Sequence, residues 1–134
     1  MSAPVSFARY VLLAACGWGA VTLLPLPFMR HAIENGVALT HLEYFYGFVG
    51  TAIAFQFVFW RIASAPREFL PMMPACMLEK AAFGLPVLWL VSRGQADPSL
   101  LVFGGMDLVF LVLFLVAYLR LTARGDQRFP AQEW

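Results

Sequence analysis

Four long apolar runs, separated by short polar breaks, dominate the chain. Each approaches the roughly 20 apolar residues that a helix needs to cross a bilayer. The predicted spans cover about 7–28, 41–62, 72–92 and 99–121, with a polar tail over 122–134. Punctuation supports these limits. Pro25 and Pro27 fall at the end of the first span, where lost backbone donors cost least. Asn35-Gly36 is a turn signal in the longest polar connection, and residues 29–34 before it suit a short interfacial helix. Thr40 with Glu43 three residues on has the form of a capping box at the start of the second span. The third span carries Pro74 in its first turn and Pro86 in its interior, where a kink is expected. Short connections make consecutive helices antiparallel. The expected fold is an all-α, four-helix transmembrane bundle, up-down-up-down.

Polar residues inside these runs are the candidate chemistry. An ionisable group within hydrocarbon is costly and normally faces a partner, a cavity or a substrate. Glu79 and Lys80 lie in the third span and Asp107 in the fourth. By helical rise each carboxylate sits roughly 12 Å from its own end of the bundle, so the two approach similar depths. Neighbours in a helix point about 100° apart, so Glu79 and Lys80 are not expected to pair face to face. Either carboxyl could pair with Lys80 in a clasp or take up a proton and act as an acid. The second span opens with His41-Leu42-Glu43-Tyr44-Phe45-Tyr46. Helical spacing aligns Glu43, Gly47, Gly50 and Ala54, and small residues allow close helix approach, so this face is expected inside the bundle. Gln56 lies deeper on another part of the surface, alongside Phe45, Val49 and Ala52. Glu79, Asp107, Glu43 and His41 are the candidate acid–base residues. Tyr44, Tyr46, Gln56 and Lys80 are candidate ligand contacts. Against this, Tyr44 and Tyr46 also suit an aromatic belt, and Glu43 a helix cap.

Composition narrows the class. The 134 residues are 61% hydrophobic and 13% charged, with a mean hydropathy of +0.74. Soluble domains carry about 25% charged residues. A net charge of +1 gives no electrostatic case for nucleic acid. Six of the eight arginines fall on one side of the predicted topology: Arg9, Arg61, Arg67, Arg120, Arg124 and Arg128. By the positive-inside rule that side is cytoplasmic, and both termini with it. The first apolar run is longer than the roughly 7–15 residues of a signal-peptide core, so it is expected to persist as a span. Cys16 and Cys76 lie in apolar runs without metal or redox spacing. Only His41 could reach the bundle interior, which speaks against a bis-histidine haem. No metalloprotease, P-loop, dinucleotide or nucleophile-elbow motif is present, and no cofactor is expected. No helix carries the row of polar residues that a channel lining requires.

The pattern H-x-E-Y-F-Y-G-F (residues 41–48), then Gln56, then L-E-K-x-x-F-G (78–84) and G-x-D-x-x-x-x-x-L-F-x-x-A-Y-L-R (105–120) resembles an uncharacterised family of small bacterial four-helix membrane proteins. The resemblance covers most of the chain and implies the fold but no activity; a bacterial inner membrane is the expected location. Where that family reads H-P-E this chain has Leu42, which removes a rigid helix start but leaves His41 and Glu43. At the level of architecture alone the chain is also similar to emopamil-binding and sterol-isomerase-type domains, and to DoxX-like proteins.

These features set three functional expectations. The first is a membrane protein whose buried polar site binds or isomerises a lipid-like or isoprenoid-like small molecule, with one carboxyl as acid and Glu43 or His41 as base. The second is a non-catalytic subunit or assembly factor of a larger membrane complex, or a homo-oligomer. The third is a small transporter.

Overall fold

The computed structural model describes residues 2–29 and 41–123. Four helices carry the fold: α1 (Ala3–Leu23), α2 (Leu42–Ser64), α3 (Met73–Ser92) and α4 (Leu100–Thr122). A 3-10 turn, Leu70–Met72, leads into α3. With that turn counted into α3, the four apolar segments are 21 to 23 residues long. At 1.5 Å per residue they run roughly 32–35 Å, enough to cross a hydrocarbon core of about 30 Å. Each helix packs against its neighbours in the order α1, α2, α3, α4 and back to α1. The fold is the expected four-helix bundle. The largest shared surfaces are α3 with α4 and α1 with α2, while α2 and α3 pack least extensively.

Boundaries follow local chemistry. α1 starts at Ala3 rather than near residue 7, because Pro4 fits a first turn whose N–H groups have no helical acceptor. It ends at Leu23 rather than near 28, since Pro25 and Pro27 lack the N–H donors that would continue the ladder. The chain there passes through turns closed by Phe28 N–H to the Pro25 carbonyl at 3.0 Å. α3 keeps Pro86 in its interior, and Gly94, just past its Arg93 cap, has a left-handed φ of 66°. Gln95 N–H then reaches the Leu90 carbonyl at 2.9 Å and Gly94 N–H the Val91 carbonyl at 3.0 Å, a Schellman closure. In the α3–α4 turn Ser99 N–H donates to the Asp97 carboxylate at 2.7 Å. Hydrogen bonding from Ser99 holds that carboxyl below its ordinary 3.8. The expected interfacial helix at 29–34, the Asn35-Gly36 turn, the Thr40 cap and the polar tail beyond 123 lie outside the described residues, apart from Met29 itself.

The polarity of the bundle is inverted relative to a soluble one. Lys80, Asp107 and Gln56 are buried, whereas Leu78 is 68% and Phe57 63% exposed. Such an outer surface suits lipid tails as solvent, with polar groups turned inward. The apolar core is densest toward the end that carries Arg9, Arg61, Arg67 and Arg120. Leu12 from α1, Phe59 and Ile62 from α2, Met73 and Cys76 from α3, and Phe114 and Leu121 from α4 are all fully buried there.

Candidate functional site

Two glycines bring α3 and α4 together. A Cβ on Gly84 would lie 2.8 Å from Leu108 Cδ2 and 3.0 Å from the Gly104 carbonyl oxygen. One on Gly104 would lie 2.7 Å from Val87 Cγ1. Close backbones of this kind are the usual use of small residues between membrane helices. One turn from this crossing, Lys80 on α3 and Asp107 on α4 face each other. Lys80 Nζ donates to Asp107 Oδ1 at 2.9 Å, with Lys80 only 3% exposed. Antiparallel pairing brings together residues 27 apart in sequence.

Lys80 also meets Glu79, with Nζ 3.3 Å from Oε2. Neighbours about 100° apart on the helix thus still meet at their tips, and both carboxyls expected as alternatives reach the same ammonium. The four-carbon Lys stem is long enough to fold its ammonium back past its own backbone. The contact is an ion pair without hydrogen-bond geometry, and Glu79 Oε2 is buried with no hydrogen-bond partner. The ammonium further lies 5.2 Å from the centroid of the Phe59 ring on α2, within cation–π range. Three helices thus converge on one charge. The cluster holds one cation and two carboxyl groups, not the simple pair that spacing alone suggested.

Glu79 occupies the side of α3 turned toward α2. One turn further along the same face, Phe83 stacks against Phe48 of α2 at 5.4 Å between centroids. This is the least extensively packed junction of the bundle. On the α1 side of α2, Gln56 is buried and its Nε2 donates to the Ala52 carbonyl at 2.8 Å. Its Oε1 has no hydrogen-bond partner and abuts Gly19 of α1, where a Cβ would have no room.

The inward face of α2 departs from expectation. Glu43, Gly47, Gly50 and Ala54 are exposed, and the buried face is Val49, Ala52, Gln56, Phe59, Ile62 and Ala63. The small residue that permits close approach is Gly19 on the partner helix, so α2 itself can present a large side chain there. The α2 N-cap position belongs to His41, without a side-chain capping bond. His41 Nδ1 lies 3.0 Å from Glu43 Oε1, and both side chains are about two-thirds exposed, at 66% and 69%. Tyr44 and Tyr46 are also exposed, beside His41 and Phe45 respectively. Since Phe83 is level with Phe48, Glu79 is level with about Ala52, roughly 13 Å below Glu43 along the axis. The structure therefore brings Glu79, Lys80 and Asp107 together and leaves His41, Glu43, Tyr44 and Tyr46 at one rim. Gln56 is buried in the separate α1–α2 seam.

Phe59 was not singled out from sequence, although its position three residues after Gln56 places it on the same helix face. Among the described residues, no group of three or more His, Cys, Asp or Glu side chains could hold a metal ion. No family model, curated protein or solved structure matches the chain.

Proposed function

We propose that this is a multi-pass membrane protein that binds the polar head of a lipid-like or isoprenoid-like molecule at the Glu79–Lys80–Asp107 cluster. The observation that carries this reading is Glu79 Oε2: buried, met by the Lys80 ammonium at 3.3 Å without hydrogen-bond geometry, and placed at the loosest helix junction. A buried acceptor without a well-formed hydrogen bond favours a donor, and the ion pair with Lys80 leaves that capacity open to one from outside the bundle. A hydroxyl or amine head on an apolar tail has that chemistry, with access between α2 and α3. His41 and Glu43 do not reach the cluster, so no acid–base partnership with them is part of this proposal. By the positive-inside rule the Arg-rich end supports a cytoplasmic N-terminus and a cytoplasmic end of α4, and the reading includes an inner-membrane location.

A second reading has its own support. Lys80 and Asp107 beside the Gly84–Gly104 crossing form a clasp that fixes α3 to α4, which is a structural role. Solvent extraction of the purified protein followed by mass spectrometry separates the two. The binding reading expects an amphipathic molecule retained in near-stoichiometric amount by the wild type and lost in Glu79→Gln. The clasp reading expects the same bulk-lipid profile for both.

A further inference from the structure

Two routes to Glu79 are sealed. Toward α4, the crossing at Gly84 and Gly104 is too close for a Cβ, and the Lys80 ammonium lies between the Glu79 and Asp107 carboxyls. Toward the Arg-rich end, the bundle is filled by Phe59, Ile62, Met73 and Cys76, all fully buried. Away from that end the packing between α2 and α3 relaxes. Pro86 is exposed there, and Phe48 is 45% exposed. The junction on this side is closed by the rings of Phe48 and Phe83, whose planes are tilted by 32°. Each ring stands one helical turn beyond the level of the carboxylate: Phe83 is four residues past Glu79, and Phe48 four before Ala52. Ala52 is the residue of α2 level with Glu79, and its methyl group is the smallest side chain that α2 could set there short of glycine.

The geometry points to this ring pair as a lateral gate, through which a membrane-dissolved amphiphile reaches Glu79 from the half of the bilayer opposite the Arg-rich end. The gate presupposes the binding site at Glu79 proposed above and adds the route to it. A phenyl ring turns between staggered rotamers, so the passage opens by side-chain motion while both helices keep their backbone hydrogen bonds. Phe48 has space to turn into, since a Cβ on the preceding Gly47 would meet nothing within 4 Å. Opening gives up one aromatic contact, a small enough loss for thermal motion to supply. The same order of groups suits the bound state. A donor head at Glu79 leaves its apolar tail between the two rings, pointing into the half of the bilayer from which it came.

The test uses dicyclohexylcarbodiimide, an apolar reagent that reaches carboxyls from the lipid phase, on the full chain in phosphatidylcholine liposomes. The carboxyl adds across a C=N bond of the reagent, its proton passing to nitrogen, and the rearranged N-acylurea is quantified by peptide mass spectrometry. Phe48→Ala and Phe83→Ala should each speed modification of Glu79 about two- to tenfold, the factor that loss of one aromatic pair supplies. Phe48→Trp, which keeps a ring in place, should not speed it. Neither should Phe57→Ala, on the lipid-facing side of α2. Asp107 lies on the far side of Lys80 and reports general loosening, so its rate should stay that of the wild type. Glu79 rates unchanged in both alanine variants would overturn the gate, and so would an equal rise at Asp107. The amphiphile recovered by solvent extraction tests the binding site by a separate readout, so failure of the gate and failure of the site are told apart.

Discussion

At the residue scale, three charged groups are coupled where sequence suggested two. In an isolated buried pair, loss of one partner leaves an uncompensated charge and typically costs about 3–5 kcal/mol. The Glu79–Lys80–Asp107 cluster predicts a different pattern. Glu79→Gln leaves Lys80 with Asp107, and Asp107→Asn leaves it with Glu79, so either single change keeps a neutral pair. The double change strands the ammonium and should lose about 3–5 kcal/mol, far more than the two singles added together. Chemical denaturation of the four proteins in detergent forms the double-mutant cycle. Additive effects would mean that the carboxyls do not share Lys80.

At the scale of elements, the four spans were legible from sequence because a membrane helix must satisfy its own backbone and is apolar over its full length. Lys80 and Asp107 were legible as interior residues for the same reason. The orientation of α2 was not. The polar residues Glu43, Gln56 and Arg61 do not gather on one face of that helix, so polarity does not set its rotation, and the deciding feature is Gly19 on another helix. The approach of α2 and α3, which gives Glu79 its surroundings, likewise depends on Phe48 meeting Phe83 across the bundle. Glycine substitutions test this packing. Gly104→Ala would set a Cβ 2.9 Å from Val87 Cβ, and a β-branched neighbour rotates poorly, so a loss of about 1–3 kcal/mol is expected. Gly47→Ala and Gly50→Ala meet open space and should be neutral or stabilising by up to about 1 kcal/mol through helix propensity. Thermal unfolding in detergent reads both. A marked loss from the α2 changes would show a partner helix on that face and favour the reading as a subunit of a complex.

At the scale of the whole molecule, charge and hydropathy act together. Apolar side chains face outward along the spans, and the described arginines gather at one end apart from Arg93. That asymmetry predicts the α2–α3 connection on the cytoplasmic side and the α3–α4 turn on the other. Glu68→Cys and Gln95→Cys are exposed positions in those two connections, and Cys76 is buried within its span. A membrane-impermeant thiol reagent applied to intact cells should label Gln95→Cys and spare Glu68→Cys. The reverse pattern would invert the orientation, and labelling of both would remove one crossing.

The central claim is that Glu79 holds a ligand and is more than a strut. The most direct measurement is thermal unfolding in detergent with and without added membrane-lipid extract, for wild type and Glu79→Gln side by side. The account predicts a wild type stabilised by the extract. It predicts a variant that unfolds close to the untreated wild type and gains nothing, because its amide keeps the shape but not the carboxylate that receives the ligand. A wild type indifferent to every extract, with Glu79→Gln unfolding at the same temperature, would contradict it and leave the cluster as a clasp of Lys80 and Asp107 between α3 and α4.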